Sequence, residues 1–184
     1  MHRAFSLILL SLLAIACGNP PKGELQELGS ISVRLPEGWK VETPSSGMRK
    51  AQYSLPSPSG KGEGATFVVF HFGRSQGGSV GENLERWYGQ FKQPNGMSSS
   101  DVASVTEKSV SGMQVTVVDV SGTYAPSAMG PMMPRAGPKP DYRMLAAIVE
   151  SQEGPYFFKL TGPIGTVTHW QASFNEFIGS VSQK

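Results

Sequence analysis

Val-Ala-Ser-Val-Thr-Glu-Lys-Ser-Val at 102–110, then Ser111-Gly112, then Met-Gln-Val-Thr-Val-Val-Asp-Val-Ser-Gly-Thr-Tyr at 113–124 is the stretch on which the fold turns. Both arms are rich in β-branched residues, which suit a pleated, half-buried surface. Two turn-forming residues between such arms are a hairpin signal. A second pair follows at 142–150 and 156–161, joined across Ser151-Gln152-Glu153-Gly154. Four successive antiparallel strands are therefore expected in the middle of the chain.

Upstream, residues 30–35 alternate with Ile31, Val33 and Leu35 on one face, Pro36-Glu37-Gly38 turns the chain, and Trp39-Lys40-Val41 resumes an extended run. Residues 49–55 alternate through Ala51, Tyr53 and Leu55, and 56–64 read as a loop. Thr66 to Phe72 is β-branched and aromatic almost throughout, as a central strand covered on both faces would be. Ser79-Val80-Gly81-Glu82 matches a capping box. Val80, Leu84, Trp87, Tyr88 and Phe91 then recur at helical spacing until Pro94-Asn95-Gly96. A last helix follows Gly162-Pro163-Ile164-Gly165, with Val167, Trp170, Phe174, Phe177, Ile178 and Val181 as its apolar stripe. Segregated hairpins and helices predict an α+β domain, an antiparallel β-sheet flanked by two α-helices. Trp87 and Trp170 are its expected core anchors, each costing roughly 3–5 kcal/mol if cut to Ala.

The whole chain is 184 residues with a net charge of +2. That length suits one domain, and the charge gives no reason to expect nucleic acid as a partner. With 22 Gly and 14 Pro the chain is turn-rich, yet below the roughly 25–30 % that marks low complexity.

The N-terminus reads as an address. His2-Arg3 is followed by the apolar run 4–16, broken only by Ser6 and Ser11. A spanning helix needs about 20 apolar residues, whereas an export signal needs only about 7–15. Residues 1–16 are thus expected to be a signal peptide. The sequence Leu13-Ala14-Ile15-Ala16-Cys17-Gly18-Asn19 resembles the lipobox of bacterial lipoproteins. Ala14-x-Ala16 also fits ordinary signal-peptidase cleavage. Cys17 is the only cysteine, so no internal disulfide is open to it, and a free thiol is a liability in an oxidising compartment. The lipobox resemblance implies a lipid-modified Cys17 and the bilayer as partner. Gly18 in the following position implies the outer membrane, facing the periplasm. Residues 17–28, with Pro20-Pro21, are the expected tether, and 29–184 the folded domain.

The element order, with Leu35-Pro36-Glu37-Gly38-Trp39 near the start and Phe174-x-x-Phe177-Ile178-x-Ser180 at the end, resembles the PsbP-like family. The resemblance implies that family's antiparallel sheet flanked by helices. No photosystem metal- or partner-binding residue of the family is matched position by position, so it implies no activity.

Three places could carry chemistry. Arg74, Gly77, Gly78 and Ser79, between the central strand and the capped helix, could converge amides and a guanidinium on an anion. The same glycines serve equally as a tight turn. The Pro- and Met-rich loop 125–141 brings together Met129, Met132 and Met133, a polarizable surface for an envelope protein partner or a set of thioethers for Cu(I). His71 and His169 are isolated in sequence, and Glu82 and Glu85 lie on a helix's polar face. No nucleophile elbow or zinc motif is present, so no metal site and no cofactor are expected. The expected class is a non-catalytic envelope module that binds a partner or small ligand. The competing class is a small envelope hydrolase.

Overall fold

The computed structural model describes residues 23–125 and 137–184. In chain order the elements are β1 (Glu24–Glu27), β2 (Ile31–Leu35), β3 (Lys40–Glu42), β4 (Arg49–Leu55), β5 (Ala65–His71), α1 (Val80–Tyr88), β6 (Phe91–Lys92), α2 (Ser99–Val102), β7 (Ser104–Val110), β8 (Met113–Tyr124), β9 (Lys139–Ser151), β10 (Gly154–Pro163), α3 (Ile164–Gly179) and β11 (Ser182–Gln183). An eight-stranded sheet runs β3-β4-β5-β10-β9-β8-β6, with β7 also on β8, and a three-stranded sheet runs β1-β2-β11. Every pairing is antiparallel.

Both expected hairpins form. Ser111 and Gly112 have φ of 50° and 79°, the doubly left-handed pair whose twist matches two right-handed strands. β5 lies between β4 and β10, as a strand apolar on both faces should.

Alternation along these strands divides the interior in two. On one face, Phe67, Val69, Tyr156, Phe158, Leu145 and Ala147 pack against Val167, Phe174, Phe177 and Ile178 of α3. On the other, Phe157, Ala146, Ile148, Val118 and Val120 pack against Trp87 of α1. Arg143 on β9 bolts α3 to the sheet. Its Nε and Nη2 donate to the Asp119 carboxylate at 2.8 and 2.6 Å, and its guanidinium also reaches Thr168 and Gln171, each at 2.9 Å.

Five expectations need correction. Glu24–Glu27, placed within the expected tether 17–28, pairs with β2, so strand structure begins before residue 29. The first long helix stops at Tyr88 rather than reaching Phe91. Gly89 caps it by donating to Glu85 O, and Phe91 turns inward as β6, its ring 5.2 Å from Tyr124. A third, four-residue helix, α2, occupies the start of the expected strand at 102–110. Lys139 is already paired with Tyr124, so β9 begins inside the expected loop 125–141. Finally, Trp170 is half-buried at the core's edge, its Nε1 donating to Pro56 O at 2.9 Å. The buried tryptophan on the α3 face is Trp39, stacked on Phe177 at 5.2 Å. Trp87 is buried as expected. Among the described residues no helix is long and apolar enough to cross a membrane.

A candidate ligand pocket on the α1 face of the sheet

A nine-residue helix is about 14 Å long and cannot cover a sheet of eight strands. Helix α1 lies over the β8-β9-β10 side, which leaves the same face of β4, β5 and β10 open. The opening is a cavity of about 780 Å³, within the roughly 300–1,000 Å³ range of small-molecule sites. Strand periodicity builds its floor. Phe157, Lys159 and Thr161 alternate along β10, and in register beside them stand Phe70, Val68 and Thr66 of β5. Arg49 and Gln52 of β4 close one side, Arg86 and Trp87 of α1 the other, and Tyr124 and Tyr142 the third.

The walls are aromatic and the charge is positive. Among the described residues, Arg49, Arg86, Lys139 and Lys159 line the cavity against one carboxylate, Glu63. Glu63 is already engaged, because Lys139 Nζ donates to it at 2.5 Å and to Tyr142 Oη at 3.0 Å. The hydrogen bond from Lys139 holds the Glu63 carboxyl below the usual range, and the same bond raises Lys139 to about 12. Among the described residues Arg49, Arg86 and Lys159 have no ion-pair partner.

Lys159 is the unusual member. Its ammonium donates to Gln90 Oε1 and lies 5.5 Å from the centroid of the Tyr124 ring. Desolvation by the pocket walls lowers it to about 8, and the nearby Arg49 guanidinium adds to that shift. Two residues along the same face, Thr161 Oγ1 is buried without a hydrogen-bond partner. Burial also pushes the Tyr124 hydroxyl up.

The loop singled out in the sequence lies elsewhere. Arg74 reaches across to Glu153 at 2.6 Å, with both side chains more than half exposed. Gly77 is left-handed, with φ 93°, and a Cβ there would fall 2.7 Å from Phe157, so the loop needs this glycine to rest on the sheet. Gly78 follows, also left-handed. Ser79 completes the capping box: its Oγ accepts from Glu82 N, and its own N and Oγ donate to Glu82 Oε2 at 2.7 and 2.8 Å. The chain's own carboxylate thus occupies the helix N-terminus, and none of the four residues lines the cavity. Cys17, Met129, Met132 and Met133 lie outside the described residues. No group of three or more His, Cys, Asp or Glu suited to a metal occurs among the described residues. His71 stacks on Tyr156 at 4.0 Å, and His169 meets Trp170 edge-on at 4.9 Å.

The pocket was not anticipated from the sequence. Its signal is the charge in Tyr156-Phe157-Phe158-Lys159-Leu160: a lysine at an inward position of an otherwise apolar strand.

Antiparallel sheets with helices packed on them make this an α+β fold, and it is similar to that of PsbP. The chain superimposes on the solution structure of cyanobacterial PsbP (CyanoP) from Synechocystis sp. PCC 6803 with a TM-score of 0.51, at 11 % identity, covering 93 % of this chain and 99 % of that one. A crystal structure of a protein of unknown function from Pseudomonas aeruginosa matches with a TM-score of 0.50, at 14 % identity, covering 88 % and 96 %. At these identities the likeness is one of fold. No family model and no curated protein matches the sequence.

Proposed function

We propose that the protein is an exported, lipid-anchored envelope module that binds a small ligand without transforming it, in the cavity beside α1. One observation carries the reading: a cavity of about 780 Å³ between α1 and the open half of the sheet, with an aromatic floor and several polar groups converging on it. Binding sites of soluble domains have this composition, mostly apolar with a few placed polar groups. The N-terminal signal and Cys17 supply the location half of the proposal. Two or more acyl chains, at about 0.8 kcal/mol for each buried methylene, anchor a protein stably.

Each half has its own test. Amide chemical shifts of the full-length protein, titrated with a small-molecule panel, should move at Val68, Phe70, Phe157 and Lys159. Val68→Trp, which fills the cavity from its floor, should abolish those shifts. A panel that never perturbs these four amides, or a Val68→Trp protein that binds as well as wild type, overturns the ligand reading. Mass spectrometry of the mature N-terminus addresses the anchor, which is refuted by an unmodified Cys17.

A further inference from the structure

We propose that the occupant is an organic anion, a carboxylate or sulfonate on a flat apolar body, with its charge met by Lys159 and its body laid on Phe70 and Phe72. This rests on the ligand-pocket reading and adds the chemistry of the ligand. An ammonium has three donors and takes no proton acceptor role, yet in the described structure Lys159 has one neutral acceptor, Gln90 Oε1, and one aromatic face, Tyr124. A desolvated cation without a counter-ion is costly unless something negative completes it. Glu63 does not serve, because Lys139 and Tyr142 already engage it.

The other charged groups facing the cavity point the same way. Arg49 on β4 and Arg86 on α1 add positive field from two sides, and neither is ion-paired among the described residues. A cationic ligand would meet repulsion from three directions. Thr161, two residues along β10, lines the same face, but its Oγ1 is fully buried, so the donors facing the cavity are those of Lys159, Arg49 and Arg86. A carboxylate or sulfonate can use these donors with several oxygens, whereas a neutral ligand leaves the ammonium unsatisfied. Inorganic anions fit the charge but not the walls. Phe70 and Phe72 stack with centroids 6.2 Å apart over the buried Phe157, and these two partly exposed rings present the surface that an apolar body would cover.

Three naphthalene isosteres and one control test this on the full-length protein in an uncharged detergent, read by amide shifts of Phe157 and Lys159. The probes are naphthalene-2-sulfonate, naphthalene-2-carboxamide, 2-naphthylmethylammonium and inorganic phosphate. The sulfonate should bind at least tenfold more tightly than the carboxamide, with the ammonium weakest and phosphate silent. Lys159→Gln should erase the preference for sulfonate while keeping carboxamide binding, which shows that the variant is folded, and Lys159→Arg should retain the preference. Sulfonate binding should also raise the titration midpoint of the Lys159 ε-carbon resonance. Equal affinities for sulfonate and carboxamide, or a preference that survives Lys159→Gln, overturn the anion inference but leave the ligand pocket standing. Phosphate binding as tightly as the sulfonate overturns the apolar body. If no probe moves either amide, the anion and the pocket reading fall together.

Discussion

Tyr156 on β10 donates its phenolic proton to the carbonyl of Leu28 at 2.8 Å, joining residues 128 apart in sequence at the seam between the two sheets. The same oxygen is in reach of the Ser30 amide and hydroxyl at 3.2 and 3.1 Å, while His71 covers the ring. One buried side chain thus helps to hold the small β1-β2-β11 sheet, whose Leu28, Ile31 and Val33 also pack into the core. Tyr156→Phe keeps the packing and strands buried backbone groups, which costs about 1–3 kcal/mol. Urea unfolding should show a lower midpoint with an unchanged slope.

The tryptophans should rank by burial rather than by their place in a helical stripe. Trp39 is 6 % exposed and touches Tyr53, Phe67 and Phe177, so Trp39→Ala should cost about 3–5 kcal/mol. Trp170 is half-buried and has one hydrogen bond to Pro56, so Trp170→Ala should cost about 1–2 kcal/mol. Equal losses by chemical denaturation would contradict this order.

Stability should pass through a maximum at about pH 10. Lys159 falls from an ordinary value near 10.5 to about 8 on folding, so between those limits the unfolded chain binds more protons. Stability therefore rises with pH there, by at most about 1.4 kcal/mol per pH unit from this group. Above pH 10 the sign reverses. Tyr53 is raised to about 12 by burial and Lys139 to about 12 by Glu63, so the folded state then holds the extra protons and stability falls. Lys159→Met should flatten the rising limb and leave the falling one, as read by thermal unfolding from pH 7 to 11.

The capping box is open to a local test. Ser79→Ala removes the acceptor for Glu82 N and should cost about 1 kcal/mol. Amide exchange in the first turn of α1 should accelerate while exchange in α3 is unchanged. Uniform acceleration in both helices would show that α1 is not stabilised locally by Ser79.

Much of the scaffold is written in local patterns. Residues 49–55 alternate along their length, residues 113–124 are rich in β-branched side chains, both form strands with those bounds, and Ser111-Gly112 carries the two positive φ values its hairpin needs. Ser79 and Glu82 cap α1 as their spacing requires. These readings succeed because strand pleat and helix pitch act on near neighbours, so the period of apolar residues reports them directly. Local reading fails where partners are distant. Phe91 continues a helical stripe in sequence, but Gly89 breaks the helix and the Tyr124 ring offers Phe91 a buried place on β8. Trp170 sits on an apolar stripe, yet its helix turns that edge toward Pro56 and the Gly38 turn.

The candidate site belongs wholly to this second kind. The sequence by itself determined the longer strands, the two hairpins and the capped helix. It also contained Lys159 as a charge inside an apolar strand. Only the tertiary structure decided that β5 and β10 lie side by side with Val68 opposite Lys159, and that α1 covers one half of the face and leaves the other open. It also decided that Glu63 is taken by Lys139. The physical reason is that a strand's alternation says which residues share a face but not which strand lies beside it or how far a short helix reaches across. A cavity is the space left over once those long-range choices are made.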